Sequence, residues 1–124
     1  MNKRKYDDNN IFAKIIKGEA QAEIVYENKL VLCFKDIMPK APVHILIIPK
    51  KKYRDIFDFS ENSSEKEKLA IFQAFRDLVK KYKLEENGNR IITNSGVYGR
   101  QEVPHLHFHL LGGKDIGSML SKTD

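Results

Sequence analysis

The chain has 124 residues, of which 41% are hydrophobic and 31% are charged, and its net charge is +5. This length fits one domain whose core needs no disulfide or metal for stability. The sequence has no apolar run near the roughly 20 residues that a membrane helix needs, and residues 1–10 lack the apolar core of a signal peptide. Together with the single cysteine, these features predict a cytoplasmic protein that does not bind membranes.

The positive charge favours an anionic partner only weakly, because most of the excess is spread along the chain. The exceptions are two short lysine-rich runs, at residues 50–52 and 80–83. The sequence has no zinc-finger spacing, no aromatic residues interleaved with basic ones, and no helix-turn-helix pattern. We therefore expect no nucleic acid among the partners.

Hydrophobic periodicity, caps and turn residues predict a disordered tail at residues 1–9 and a single domain at 10–124. The predicted elements, in chain order, are a helix at 11–17, strands at 24–26, 30–34 and 43–48, a helix from the capping box at Ser64 to Tyr82, and strands at 90–93 and 105–111. Short connections favour antiparallel pairing. The expected fold is therefore α+β, with helices packed against one antiparallel sheet.

Three of the four histidines stand at every second position of the last predicted strand, as His105, His107 and His109. Side chains alternate between the two faces of a strand, so these imidazoles would share one face and the apolar residues between them the other. Imidazole can act as a base, an acid, a nucleophile or a metal ligand near neutral pH. We therefore expect the functional site here.

Three interpretations of this motif compete. The histidines could be structural, although three of them at this spacing make that a poor explanation. They could bind zinc, with His44 as a fourth ligand, but Glu102 is the one obvious carboxylate nearby to support a ligating imidazole. They could also act on a phosphate, with one imidazole as nucleophile and its neighbours stabilising oxygens and passing a proton. Spacing alone does not separate the last two interpretations.

The motif matches the His-x-His-x-His-x-x signature of the histidine triad superfamily, in which x is apolar. The segments at 11–19, 36–51 and 94–101 resemble the nucleotide-binding Hint branch of that superfamily, in the same order, and the resemblance covers residues 11–113. It implies a five-stranded antiparallel sheet with two helices, and a homodimer that forms a ten-stranded sheet. It also implies hydrolysis of purine nucleoside phosphoramidates to an amine and a nucleotide such as AMP, with no cofactor.

The resemblance also implies roles for individual residues. His107 takes the place of the nucleophile, His109 contacts the α-phosphate and the leaving group, and His105 and His44 orient the nucleophile. Asp36 stands where a carboxylate accepts hydrogen bonds from the ribose hydroxyls. The other residues assigned to substrate binding are Phe12, Ile15 and Ile37 at the base, Asn94 and Gln101 at the phosphate or leaving group, and Glu102 and Val103 just before the triad.

Several positions depart from the family pattern. Glu102 replaces a serine that assists the leaving group in many Hint proteins, and its carboxylate would repel a nearby phosphate. Pro104 removes a backbone donor and indicates a strand edge or start. Lys52 and Ala13 stand where zinc-binding relatives have a histidine and a cysteine, which argues against a structural zinc. The tail at 114–124 lacks tryptophan and proline, so its role in some relatives does not transfer.

These departures leave two alternatives to phosphoramidate hydrolysis. The first is an enzyme that cleaves dinucleoside polyphosphates or other anhydrides at the α-phosphate. The second is a nucleotide-binding or interaction module whose catalysis is vestigial, which Glu102 keeps open. An apolar base pocket would discriminate little between adenine and guanine.

Overall fold

The protein is described by a computed structural model over residues 5–121. Its elements are α1 Ile11–Ile16, β1 Ile24–Glu27, β2 Val31–Lys35, β3 Val43–Pro49, α2 Ile56–Asn62, α3 Glu65–Lys81, β4 Asn89–Ile92 and β5 Phe108–Gly112. The five strands form one antiparallel sheet in the order β1-β2-β3-β5-β4. The predicted α+β class and five-stranded sheet are confirmed. None of the helices in this part of the chain is long and apolar enough to cross a bilayer.

The sheet is covered on both faces, which explains why β3 is almost uniformly apolar. On the face towards α3, called the α3 face below, Ile45 and Ile47 pack with Ile71 and Leu78. On the opposite face, the α1 face, Phe12 of α1 packs with residues of β2 and β3 that include Leu32, Phe34, Leu46 and Ile48. Successive side chains of a strand point to opposite faces, so a strand covered on both sides needs no polar positions.

Cys33 of β2 belongs to the core of the α3 face and is fully buried. Burial raises the pKa of its thiol to about 12, because the thiolate would lose its hydration. The thiol is therefore uncharged at neutral pH.

The first helix begins where the sequence predicts. The Asn10 side chain accepts a hydrogen bond from the Ala13 amide at 2.9 Å, which caps α1. Four residues of the predicted tail, 1–4, lie outside the described residues. In the described part of that tail, residues 5–9, Asp8 forms an ion pair with Lys52 at 2.6 Å. The backbone carbonyl of Asp7 accepts a hydrogen bond from the Asn10 side chain at 2.7 Å.

The sequence did not predict α2, a helix of seven residues between β3 and α3. Asp55 caps it by accepting from the Asp58 amide at 2.8 Å, and Phe59 buries its ring against Tyr53. A short helix with a single buried residue has too little apolar periodicity to be recognised. The helix that follows starts with the predicted capping box, in which Ser64 and Glu67 each bond the other's backbone amide.

The last strand begins at Phe108, so the prediction of a strand from residue 105 was wrong at its start. The register pairs Phe108 with Ile47, which would bring Leu106 opposite Pro49. Proline has no amide hydrogen, so the ladder ends there. Leu106 donates its amide hydrogen to the Tyr53 carbonyl at 2.7 Å instead. The side chains still alternate, because Leu106, Phe108 and Leu110 all pack in the core of the α3 face.

Candidate active site

An open cleft of about 590 Å³ lies on the α1 face of the sheet. Residues from α1, the loop after β2, β3, the loop after β4 and the histidine segment form its walls. Ten of the twelve predicted site residues, all within residues 5–121, line it: Phe12, Ile15, Asp36, Ile37, His44, Asn94, Glu102, Val103, His107 and His109. The structure therefore brings together residues that span more than ninety positions of the sequence.

His105 has a different position from the other histidines, because it is fully buried. Its Nε2 lies 2.8 Å from the Pro49 carbonyl oxygen, and its Nδ1 lies 2.6 Å from the Tyr6 hydroxyl. A carbonyl can only accept, so Nε2 carries the hydrogen and Nδ1 accepts from Tyr6. Burial lowers the pKa of His105 to about 4, which keeps the ring neutral at pH 7.

His107 has one ring nitrogen fixed and the other available. Its Nδ1 lies 2.7 Å from the His105 carbonyl oxygen and therefore donates to it, so Nε2 carries the lone pair. The Thr93 hydroxyl donates to the His107 carbonyl at 2.8 Å, and the Phe12 ring packs edge-on against the imidazole at 4.9 Å. Burial lowers the pKa of His107 below its usual value. At neutral pH this imidazole is therefore uncharged, with a fixed tautomer and its lone pair on Nε2.

His44 and His109 form a hydrogen-bonded pair on neighbouring strands. The Lys40 amide donates to His44 Nδ1 at 3.1 Å, so the hydrogen of His44 is on Nε2, which lies 2.9 Å from His109 Nδ1. His109 is thereby left with its hydrogen on Nε2. Burial is the main cause that lowers the pKa of both imidazoles, with His109 at about 4. His109 can therefore donate a hydrogen bond from Nε2 to an acceptor bound in the cleft.

Asp36 combines a structural contact with a position in the cleft. One carboxylate oxygen accepts from the Met38 amide at 2.8 Å, which forms the turn typical of aspartate in such loops. The other oxygen lies 3.4 Å from His44 Nε2. Both sequence interpretations of Asp36, a turn former and a ligand-binding carboxylate, are compatible with this arrangement.

A cation could be held by Asp36, His44 and His109, whose candidate ligand atoms all lie within 4.8 Å of one another. This set differs from the zinc interpretation of the motif, which used the whole triad. The His107 nitrogen Nδ1 and both ring nitrogens of His105 already have hydrogen-bond partners within the fold. A metal at this set would have to replace the hydrogen bond between His44 and His109.

Gln101 forms its hydrogen bonds inside the loop that precedes the triad. Its side-chain oxygen accepts from the Gly96 amide at 3.1 Å, and its amide nitrogen donates to the carbonyls of Arg54 at 2.7 Å and Val103 at 3.0 Å. These bonds hold the loop against the segment before α2. They use both polar atoms of the Gln101 side chain, which the sequence analysis assigned to the phosphate or leaving group.

Several residues that reach the histidines or the cleft were not predicted from the sequence, among them Lys40, Arg100 and Tyr6. Lys40 positions His44 through its backbone amide, and Arg100 lines the cleft with a backbone φ of 60°. Tyr6 lies in the segment that was assigned to a disordered tail, and no local pattern in the sequence connects it with His105, 99 positions away. Positive φ at a residue other than glycine has no signature in a single sequence.

Comparisons with known proteins show which family this chain resembles. A family model described as the HIT domain matches residues 17–116. An uncharacterised HIT-like protein of Azospirillum brasilense is 44% identical over 117 residues, which cover 94% of this chain and 96% of that protein. A purine nucleoside phosphoramidase of Escherichia coli strain K12 is 40% identical over 114 residues, which cover 92% of this chain and 95% of that protein.

Among solved structures, a HIT family hydrolase from Clostridium thermocellum is similar to this chain with a TM-score of 0.83 and 42% identity. The match covers 92% of this chain and 99% of that one. The family model, the sequence relatives and the solved structure each match most of this chain. The residues that the family model matches include the histidine motif. The chain belongs to the HIT-domain, or histidine triad, family.

Proposed function

We propose that the protein is a nucleotide-binding hydrolase that cleaves purine nucleoside phosphoramidates through a nucleotide bound covalently to His107. The observation that carries this proposal is the neutral His107 imidazole, whose Nδ1 is held by the His105 carbonyl and whose Nε2 keeps its lone pair beside the cleft. The 40% identity to a phosphoramidase supports the choice of substrate class.

In the first step, the His107 Nε2 lone pair attacks the α-phosphorus and the bond from phosphorus to the amine nitrogen breaks. The amine leaves with the electron pair of that bond and needs one proton. The His107 ring becomes cationic, and its Nδ1 hydrogen remains bonded to the His105 carbonyl, which stabilises the charge. In the second step water attacks phosphorus, the bond to Nε2 breaks, and the nucleotide is released.

His109 is suited to supply the proton. Its imidazole is neutral in the free protein, but an anionic phosphate beside it would raise its pKa by Coulomb attraction. A substrate would therefore bring His109 into the protonated state, with the second proton on Nδ1 and the His44 Nε2 hydrogen directed to the Asp36 carboxylate instead. The Nε2 hydrogen of His109 can then pass to the leaving amine. The attacking water returns that proton in the second step, so the imidazole ends as it began.

The remaining cleft residues fit a nucleotide. The Asp36 carboxylate can accept from the ribose hydroxyls, because an ionised carboxylate has more acceptor sites than its two contacts use. Phe12, Ile15 and Ile37 offer an apolar surface to the base, and Ile37 is 90% exposed in the free protein. Burial of that side chain under a base would be favourable.

The proposal predicts a trapped intermediate. Wild-type protein mixed with an adenosine phosphoramidate and quenched in alkali should gain the mass of one nucleotidyl group on the peptide that contains His107. His107→Ala should lose turnover by roughly 10³-fold or more, because the nucleophile is removed. Near wild-type turnover in a folded His107→Ala variant would contradict the mechanism.

A second candidate activity has one observation in its favour. Lys40 and Arg100 both line the cleft, and their charges could neutralise the additional phosphates of a dinucleoside polyphosphate. A comparison of kcat/KM for a phosphoramidate and a dinucleoside polyphosphate, with analysis of the products, separates the two activities. AMP binding without turnover of either substrate would instead indicate a module with vestigial catalysis.

A further inference from the structure

The segment before α1 places Tyr6 beside His105, the fully buried histidine of the motif. The Tyr6 hydroxyl lies 2.6 Å from His105 Nδ1, and the two rings meet edge-on with centroids 5.6 Å apart. Two contacts fix this segment next to Tyr6. These are the ion pair of Asp8 with Lys52 and the hydrogen bond from the Asn10 side chain to the Asp7 carbonyl.

The direction of the Tyr6 hydrogen bond follows from the other nitrogen of the same ring. Because His105 Nε2 donates to the Pro49 carbonyl, His105 Nδ1 has a lone pair and Tyr6 is the donor. The His105 ring is fully buried, so a loss of this donor would leave a buried acceptor without its partner. A hydrogen bond to this lone pair also stabilises the neutral ring over the protonated ring.

His105 connects Tyr6 to the nucleophile. Its ring accepts from Tyr6, and its backbone carbonyl accepts from His107 Nδ1 at 2.7 Å. In the proposed reaction, positive charge develops on the His107 ring as Nε2 attacks phosphorus. A protonated His105 would place a second positive charge beside that ring and would raise the barrier. A neutral His105 is therefore a requirement of the attack.

We propose that Tyr6 is a positioning residue of the active site, which holds His105 neutral and in place so that His107 can attack. The inference rests on the proposed function, and it makes the segment before α1 part of the catalytic apparatus. Tyr6 acts through His105 and does not need to touch the substrate.

The groups around His105 support this assignment. They are the Tyr6 hydroxyl from the segment before α1, the Pro49 carbonyl from β3, the Phe12 ring from α1, and His107 from its own segment. Of these only His107 can become a cation, and its charge disfavours protonation of His105. Asp7, Asp8 and Lys52 act on Tyr6 from further away.

The test is Tyr6→Phe, which removes one hydroxyl and keeps the ring. We expect kcat for an adenosine phosphoramidate to fall about tenfold, with KM changed less than about twofold, because one buried hydrogen bond is lost outside the cleft. Because both His105 and His107 must be neutral for attack, easier protonation of His105 should add to that of His107 and move the acid limb of the kcat profile to higher pH. Tyr26→Phe is the matched control, because it removes a hydroxyl bonded to Asp77 at 2.8 Å and should not move the profile.

A second measurement is independent of turnover. Nitrogen-15 NMR of wild-type protein should show His105 protonated on Nε2 alone near pH 7, and Tyr6→Phe should shift the Nδ1 resonance and raise the pKa of His105. A fluorotyrosine at position 6, which is a stronger donor, should move both the resonance and the acid limb in the opposite direction.

Unchanged His105 resonances and an unchanged pH profile in Tyr6→Phe would overturn the proposal. If wild-type protein turns over no phosphoramidate, the proposed function fails by itself, and the NMR comparison still decides whether Tyr6 controls His105. If Tyr6→Phe does not fold, the fluorotyrosine protein decides the question, because it preserves the hydroxyl.

Discussion

All four histidines of the chain have a lowered pKa, and burial is the largest cause for each of them. Charged imidazole loses more hydration than neutral imidazole when it is buried, so the neutral form is favoured. Hydrogen bonds then decide which nitrogen of each ring keeps its lone pair. The roles proposed for the histidines therefore follow from their partners more than from their order in the motif.

The lowered pKa of His107 predicts the pH dependence of the reaction. Attack needs the neutral ring, so kcat/KM should fall in acid as His107 protonates. Since burial lowers the pKa of His107 below its ordinary value of 6.5, the midpoint of this fall should also lie below pH 6.5. A kcat/KM profile from pH 4 to 8 measures it. A midpoint above 6.5 would show that burial does not control this ring.

Glu102 predicts a preference among leaving groups. Its exposed carboxylate lines the cleft and should repel an anionic leaving group more than a neutral one. Glu102→Gln should therefore raise kcat/KM severalfold for an amino-acid phosphoramidate with a free carboxylate, and change it less for the corresponding amide. Glu86→Gln makes the same change in charge at an exposed turn and is the control. Equal effects on both substrates would argue against this role.

Ten of the twelve residues that the sequence assigned to the site line one cleft, but their individual contacts could not be predicted from the sequence. The triad, His44 and Asp36 were recognisable because their types and spacing match a family pattern. The pairing of His44 with His109 and the contact of Tyr6 with His105 join residues that are 65 and 99 positions apart. Contacts of that kind depend on tertiary packing, which a single sequence does not encode locally.

The loop between β4 and β5 forms one wall of the cleft. It supplies Asn94, Arg100, Glu102 and Val103 to the cleft, and the side-chain hydrogen bonds of Gln101 hold it. Arg100 adopts a left-handed backbone conformation inside this loop, which is uncommon for a residue with a side chain. The loop conformation is therefore held by specific contacts.

Gln101→Ala tests whether this residue holds the loop or contacts the phosphate. If it holds the loop, the free energy of unfolding should fall by about 1–3 kcal/mol, because partly buried donors and acceptors lose their partner. Activity should fall mainly through kcat, since the loop residues lose their positions. Thermal unfolding and steady-state kinetics measure both effects. An intact unfolding temperature with a raised KM for the nucleotide would favour the phosphate contact.

The elements themselves were predictable wherever local signals were strong. The caps of α1 and α3 follow from Asn10 and Ser64, and the apolar run of β3 marks a strand buried on both faces. The start of β5 was not predictable, because it depends on Pro49 of the neighbouring strand, which comes opposite Leu106 in the register. Strand boundaries depend on the partner strand as well as on the strand's own residues.

At the scale of the whole molecule, the sheet has two edges, β1 and β4, and the family resemblance implies that one of them pairs with a second copy. We expect β4 to form that interface. Phe75 of α3 packs on Phe108 of β5, the neighbour of β4, and Phe72 packs on Phe75 while it is 69% exposed. An exposed apolar patch beside a free strand edge is a typical interface.

Ile91→Lys on β4 should therefore produce a monomer, because a charge within the joined sheet would be buried without a partner. Ile91 is 39% exposed in the single chain. Ile24→Lys on β1 is the matched control at the opposite edge, where Ile24 is 49% exposed, and it should leave the dimer intact. Light scattering after size-exclusion chromatography measures the mass. A wild-type monomer, or dissociation only by Ile24→Lys, would contradict the choice of edge.

The single cysteine of the chain lies in the middle of β2, in the core shared with α3. With no exposed surface and a thiol whose pKa is raised to about 12, Cys33 reacts with alkylating reagents only when the sheet opens. The rate of its labelling in native buffer therefore reports how often the central sheet opens. Nucleotide that binds the folded protein should slow this labelling in proportion to the stability that it adds, which gives a measure of affinity without any catalytic assay.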